Sequence, residues 1–352
     1  MNQLNIHSPE SLTTVSMELA STCNLRCVMC SHHTSRRPAA VMSFDDFKQI
    51  VNKLQRTKIR DIFLNMGEPF MNKNIFMMIS HARRSGFSVF ISTNGLLLSE
   101  SHINNIIKTG VNTLKFSIEG YTAPVYEGIR AGGNFERLLQ NVRLMKETRD
   151  RTGTSPRIRI STIMLKGNEN LVEFVKFWGP YCDEIEFTGI TNHIGSVDNS
   201  GLALSPAWKH RQSCPQIKPY REINILCNGD MVICCVDFHG RCVLGNLVKQ
   251  EFAEIWYSEK MTEIREKADA DKIEELDPCR TCLIADYSGV IPVNLRRAVT
   301  IIHESVKHKM FETLEQIHWT AGTGAVCHSC RKPIDISFGG VCLECIEQKA
   351  RG

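Results

Sequence analysis

The sequence lacks any long apolar run: no stretch without Asp, Glu, Lys or Arg exceeds 15 residues, and in one of that length, Ser85 to Ser99, Ser, Thr, Asn and Gly interrupt it. A helix needs roughly 20 apolar residues to cross a bilayer, so no membrane span is expected. The opening stretch, Met1 to Thr14, has neither a basic region nor an apolar one, and no secretory signal is read there. Charge of one sign is also scarce. A formal net charge of +4 over 352 residues, without a concentrated basic stripe and with few clustered aromatics, argues against a nucleic-acid partner. Apolar residues at 42% and charged residues at 23% are ordinary for a globular chain, and the length accommodates one large domain plus one or two small ones.

Cysteine, by contrast, is abundant. The count of 15 is odd, and most of these residues lie in close C-x₂-C or C-x₃-C groups that suit metals better than disulfides. A cytoplasmic location with oxygen-sensitive metal sites follows as the expectation. The most informative group is Cys23, Cys27 and Cys30, directly after the alternating stretch Val15, Met17, Leu19. A four-iron cluster held by three thiolates keeps one iron open to a non-protein ligand. An open metal position is the mark of a catalytic site, as it is for zinc.

From Thr14 to about Gly189, short β-branched runs alternate with amphipathic ones. Strands are predicted over Val15 to Leu19, Asp61 to Asn65, Phe87 to Ser92, Thr113 to Ile118, Arg157 to Ile163 and Glu184 to Thr188. Between them, Phe44, Phe47, Ile50, Val51 and Leu54 recur at helical spacing, and Ser43 with Asp46 forms a capping-box start. Phe135, Leu138, Leu139, Val142 and Met145 make another stripe, as do Leu171, Phe174, Val175 and Trp178, and core packing accounts for all of them. Six such units in a row argue for parallel strands joined by right-handed crossovers. Polar residues gather where the strands end: Asn65-Met66-Gly67-Glu68-Pro69, Ser92-Thr93-Asn94-Gly95, Ser117-Ile118-Glu119-Gly120 and Ser161-Thr162, with Arg130 in the loop beyond the fourth. In barrels of this kind those ends line the site.

The triplet and these strand ends, in this order, resemble the radical SAM superfamily. The resemblance implies an α/β fold, a partial (β/α)₆ TIM-like barrel, with S-adenosylmethionine on the open iron through its amino and carboxylate groups. One-electron reduction then splits the sulfonium to a 5′-deoxyadenosyl radical. Gly67 and Glu68 match the family's Gly-Gly-Glu-Pro motif for the cofactor amino group, although Met66 replaces its first Gly. Ser92 and Asn94 match the Ser/Thr-Asn-Gly element, and Ser117 the Ser-x-Asp-Gly element. Met29, Ser161 and Arg130, the last against the cofactor carboxylate, complete the implied contacts.

Beyond residue 200, Cys214, Gly229, Cys234-Cys235, Asp237, Gly245-Asn246 and the C-x₂-C pair Cys279 and Cys282 resemble the auxiliary-cluster domain of the SPASM/twitch group, as in 2-deoxy-scyllo-inosamine dehydrogenase-type enzymes. Cys214, Cys234, Cys279 and Cys282 supply four thiolates, enough to close a second 4Fe-4S cluster and make it an electron carrier. The spacing from Gly229 selects Cys234 over Cys235, and Cys235 is a candidate hydrogen-atom donor to substrate. Cys182, Cys227, Cys235 and Cys242 are left unassigned as ligands, and most such leftover cysteines are simply small hydrophobes. Near the end, Cys327 and Cys330 with Cys342 and Cys345 form two C-x₂-C hooks that suit Zn²⁺, or a further iron–sulfur cluster.

The expected organisation is an N-terminal extension (1–13), the barrel (14–200), the auxiliary domain (201–285), a helical connection (286–326) and a Cys₄ zinc-ribbon-like tail (327–352). The resemblance implies an oxidoreductase that dehydrogenates a small molecule and is reduced by a flavodoxin- or ferredoxin-type donor. A peptide-modifying maturase or an epimerase of the same superfamily fits nearly as well. A non-enzymatic iron–sulfur or zinc redox sensor is the reading from outside it.

Overall fold

A computed structural model of the chain describes residues 12–153, 155–168, 170–203, 214, 220, 222–283, 288–292, 337–338 and 341–342. Six units follow one another: β1 (Thr14–Glu18) and α1 (Phe44–Leu54), β2 (Asp61–Asn65) and α2 (Ile75–Arg84), β3 (Ser88–Thr93) and α3 (Glu100–Lys108). Then come β4 (Thr113–Ser117) with α4 (Ala123–Ile129) and α5 (Phe135–Thr152), β5 (Arg157–Ile163) with α6 (Leu171–Trp178), and β6 (Glu184–Thr188). Each strand pairs in parallel with the next, from Val15 opposite Ile62 through to Ser161 opposite Glu186. The α/β partial-barrel architecture is therefore present.

Local chemistry sets these elements. Ser43 caps α1: its hydroxyl oxygen accepts from Asp46 N at 3.0 Å and its proton goes to the Asp46 carboxylate at 2.7 Å. The apolar stripe Phe47, Ile50, Val51 and Leu54 is then buried in one continuous core with Ile62, Leu64, Val89 and Ile91 of the strands. Alternation along the strands leaves Asn65, Ser92, Ser117 and Ser161 half-buried on the opposite face. The third strand runs one residue later than its composition suggests, because Phe87 N donates to Ala82 O and closes the turn after α2.

The sheet does not stop at the barrel. β7 (Glu222–Ile225) pairs in parallel with the free side of β1, and β8 (Asp230–Val232) and β9 (Val243–Asn246) add antiparallel strands beyond it. α7 (Phe252–Trp256) and α8 (Glu259–Asp269) follow. Residues 288–292, expected inside a helical connection, form instead β10 (Ser288–Pro292), antiparallel to β6. The β-branched pair Val290-Ile291 and the unpaired edge of β6 account for this departure. Among the described residues the sheet thus has ten strands, ordered β10-β6-β5-β4-β3-β2-β1-β7-β8-β9. A two-residue ladder joins β11 (Ser337–Phe338) to β12 (Val341–Cys342). The expected hooks Cys327, Cys330, Cys342 and Cys345 otherwise lie outside the described residues.

Candidate metal and cofactor site

Cys23, Cys27 and Cys30 lie on the loop after β1, laid against the α4–α5 connection by Arg26 N to Ala131 O and Val28 N to Ile129 O, both 2.9 Å. The three thiols lie close enough that ionising Cys27 or Cys23 disfavours ionising Cys30. Burial pushes Cys23 up to about 11 and Cys30 up to about 12, and raises Cys27 as well. Every one of the three sulfurs nevertheless faces N–H donors. Leu25 N (3.5 Å) and Asn94 Nδ2 (3.7 Å) point at Cys23, Arg130 (3.7 Å) at Cys27 and His32 N (3.4 Å) at Cys30. A neutral thiol is a poor acceptor, whereas a metal-bound thiolate is a good one, so this donor set fits three cluster ligands. Among the described residues no three His, Cys, Asp or Glu side chains share a position for a single metal ion. A four-iron cube instead takes one thiolate at each of separate corners.

Around the triplet stand the strand ends. Gly67, at φ +77°, has no room for a side chain: a Cβ would lie 2.3 Å from Ala20 O. Glu68 is 1% exposed and accepts from Thr93 Oγ1 (2.8 Å), Asn94 N (2.9 Å) and Phe70 N (3.2 Å), which ties β2 to β3. Burial raises its pKa, against the pull of these donors. Asn94 reaches both Glu68 and Cys23, and Ser92 Oγ lies 3.2 Å from Ser117 Oγ on the neighbouring strand. Ser161, half-buried on β5, points its hydroxyl towards Phe116 O at 3.5 Å. Arg130 is buried, not a surface cap. It pairs with the carboxylate of Glu119 while touching Cys27, and this partner more than offsets the cost of burying the guanidinium. Met29 is buried, and its carbonyl accepts from Asn199 Nδ2 at 2.8 Å.

The second cysteine group also converges. Burial raises the Cys279 thiol, and Cys234, Cys214, Cys282 and Cys242 each add to the shift, which places all four nearby. Cys282 N closes the C-x₂-C turn onto Cys279 O at 2.9 Å. Cys234 is 7% exposed, whereas Cys235 is half-buried and packs against Met66, Leu226 and Val232. Cys242, which the sequence leaves unassigned, stands near Cys279, and its N–H donates to Asp237 at 2.9 Å. Cys182 and Cys227 are buried, with Cys182 Sγ 3.5 Å from Trp178 O.

Several residues here carry no motif. Glu18 at the end of β1 is fully buried and holds Arg37 through two contacts, 2.5 and 2.9 Å, while accepting from Cys227 N at 3.0 Å. His32 N donates to Cys30 Sγ, while His193 and Asn199 hold the flanking residues Ser31 and Met29. No local sequence pattern marks any of these four.

A partial barrel with an incomplete cysteine triplet at its strand ends and a second thiol group beyond defines a class of cluster-bearing barrel proteins. Residues 17–177 match the model of the radical SAM superfamily, and residues 214–283 that of an iron-sulfur cluster-binding domain, SPASM. Over these stretches the chain has a radical SAM region followed by a SPASM-type region. It is 29% identical over 135 residues to an AdoMet-dependent heme synthase of Methanosarcina barkeri, covering 38% of this chain and 39% of that one. It thus spans about two fifths of that relative's length. BtrN, crystallised with AdoMet and 2-DOIA, shares the fold with a TM-score of 0.56 at 18% identity, over 77% of this chain and 92% of that one. Streptococcus suis SuiB, bound to the precursor peptide SuiA, does so at 0.59 and 14%, over 72% and 66%.

Proposed function

We propose that the protein is a radical SAM oxidoreductase that dehydrogenates a small molecule. Cys23, Cys27 and Cys30 would hold a 4Fe-4S cluster, and Cys214, Cys234, Cys279 and Cys282 an auxiliary one. The observation that carries this reading is the ring of N–H donors around three mutually close sulfurs at the strand ends, Cys27 buried and Cys23 and Cys30 half-buried. When bound, the first cluster supplies the electron that cleaves S-adenosylmethionine to a 5′-deoxyadenosyl radical.

The chain's own residues bind and orient that cofactor. Three donors occupy Glu68, and a carboxylate has about four acceptor positions, so one remains for the cofactor ammonium. Arg130, held by Glu119 beside Cys27, offers its remaining N–H groups to the cofactor carboxylate. Ser92, Ser117 and Ser161 line neighbouring strands with hydroxyls, and Met29, Gly67 and Asn94 shape the loop edges. Cys214, Cys234, Cys279 and Cys282 would hold the auxiliary cluster, which would supply an acceptor for the electron left on the substrate after hydrogen-atom abstraction, its proton passing to solvent, and a flavodoxin- or ferredoxin-type protein of the cytoplasm would reduce the first site. The hooks Cys327, Cys330, Cys342 and Cys345 would bind Zn²⁺ and contribute folding energy.

A second reading, a peptide-modifying maturase or epimerase, is favoured by the fold shared with peptide-bound SuiB. Cys235 would then be the hydrogen-atom donor. Anaerobic protein with dithionite and S-adenosylmethionine is expected to form 5′-deoxyadenosine, and Cys30→Ala to form none. No 5′-deoxyadenosine from cluster-loaded protein would refute the proposal. Deuterated alcohols and peptides, followed by label in the 5′-deoxyadenosine, separate the two readings. Unchanged turnover and product stereochemistry in Cys235→Ala would remove that residue from the mechanism.

A further inference from the structure

The loop after β6, residues 190–199, touches both cysteine sites, and it does so at the immediate neighbours of one cysteine in each. On one side it brackets Cys30. Asn199 Nδ2 donates to Met29 O at 2.8 Å, and Ser31 N donates to His193 Nδ1 at 3.1 Å, with Ser31 Oγ 2.8 Å from the same nitrogen. On the other side it brackets Cys282. Thr281 Oγ1 donates to Ile194 O at 2.8 Å, Asn192 Nδ2 to Thr281 O at 2.8 Å, and Leu283 N to Asn192 Oδ1 at 2.8 Å.

Between the two brackets the backbone turns through three successive left-handed residues, His193 at φ +46°, Ile194 at +52° and Gly195 at +79°. A β-branched residue avoids this region, and left-handed residues normally occur singly. Gly195 also abuts its neighbour: a Cβ there would lie 2.7 Å from Thr281 Oγ1. Strain of this kind persists only where surrounding contacts over-determine it. His193 and Asn199 are both more than nine-tenths buried.

We propose that His193 is a positioning residue that couples the two cysteine sites, so that the redox potential of the first depends on the state of the second. Its Nδ1 fixes Ser31, and the next peptide, His32 N–H, donates to Cys30 Sγ at 3.4 Å. Hydrogen bonds to sulfur raise a cluster's potential, and partners in the outer shell orient the groups that coordinate. Because Thr281 and Leu283 hold the same loop, rearrangement around Cys282 reaches Cys30 through a short chain of hydrogen bonds, part-buried at the Cys282 end and buried at His193.

This inference rests on the cluster assignment proposed above, and iron and sulfide content tests that assignment separately. The experiment is an EPR-monitored potential titration of the first cluster in the reconstituted full chain. His193→Leu removes the acceptor and is expected to shift the midpoint to more negative values. His193→Asn keeps an acceptor in reach and tolerates the left-handed backbone, and is expected to restore it. Thr281→Val, on the far side, is expected to shift the midpoint in the same direction as His193→Leu. Cys282→Ala is expected to move it in the native background but not in His193→Leu. Absence of iron in the native chain would sink the cluster assignment. Clusters present with a midpoint unmoved in both His193→Leu and Thr281→Val would overturn the coupling alone, and loss of iron from His193→Leu leaves Thr281→Val to decide it.

Discussion

Glu119, just past the end of β4, and Arg130, at the end of α4, form an ion pair that is buried on both sides, and the same guanidinium reaches Cys27 Sγ at 3.7 Å. Glu119 also accepts from Ile163 N at 3.3 Å, so the pair ties β4, β5 and the cysteine loop together. Removing one partner strands the other charge without water. Arg130→Met is therefore expected to destabilise the protein by about 3–5 kcal/mol. The double change Glu119→Gln with Arg130→Met is expected to cost clearly less than the sum of the singles. Denaturant unfolding of the four proteins measures this cycle, and additive losses would show that the pair does not act as a unit.

Met66 stands where the family motif has glycine, and its backbone keeps the glycine-like conformation at φ +58°. The side chain explains how this is tolerated. It is 7% exposed and packs on Leu226, just past β7, and Val232 at the end of β8, so burial offsets the strain. Met66→Gly relieves the strain but empties that contact, and a net loss of about 1–3 kcal/mol is expected. Gly67→Ala has no such compensation, since its Cβ would lie 2.3 Å from Ala20 O. Thermal unfolding is expected to rank native, Met66→Gly and Gly67→Ala in falling order.

The barrel was legible because its signals are local and periodic. The alternation in Asp61–Asn65 and Arg157–Ile163 and the helical stripe from Phe47 to Leu54 each state their element within a dozen residues. The cysteine triplet was legible for the same reason. What joins distant segments was not. Nothing near Glu222 says that β7 will pair with β1 more than 200 residues earlier, and β10 depends on an edge that only the folded sheet presents. His193 and Asn199 reach the Cys30 loop across about 160 residues from an aperiodic stretch, and Glu18 reads in sequence as one more polar residue in a strand.

Acid is expected to weaken the protein in two stages. Burial keeps His193 neutral and lowers its pKa to about 4, with His239 and His32 adding to the effect. An unfolded histidine takes up its proton near 6.5, so between 6.5 and 4 the unfolded chain binds more protons and stability falls as pH falls. Glu18 acts lower. Burial opposes its ionisation, but His32, Arg37 and the Cys227 N–H outweigh that and hold it at about 2, against an ordinary 4.5. Its contribution, about 3 kcal/mol at neutral pH, is complete above 4.5 and is lost as pH falls towards 2. Unfolding midpoints from pH 7.5 down to 2.5 are expected to flatten in the upper window for His193→Asn and in the lower window for Glu18→Gln. A Glu18→Gln profile identical in shape to the native one would assign the acid loss elsewhere.

Burial has a last consequence for metal retention. It pushes Cys23 to about 11 and Cys30 to about 12 and raises Cys27, so in the cluster-free chain all three are thiols at neutral pH. Binding iron must expel those protons, and each one released makes affinity rise tenfold per pH unit. Iron held against a competing chelator is therefore expected to climb steeply between pH 6 and 9. The four N–H donors facing the sulfurs soften this requirement by stabilising the thiolates once formed. Asn94→Leu, which removes the donor at 3.7 Å from Cys23, is expected to lose iron several-fold faster at pH 7 and to recover towards the native rate as pH rises. A pH-independent loss of iron would show that protons do not compete with metal at these sulfurs.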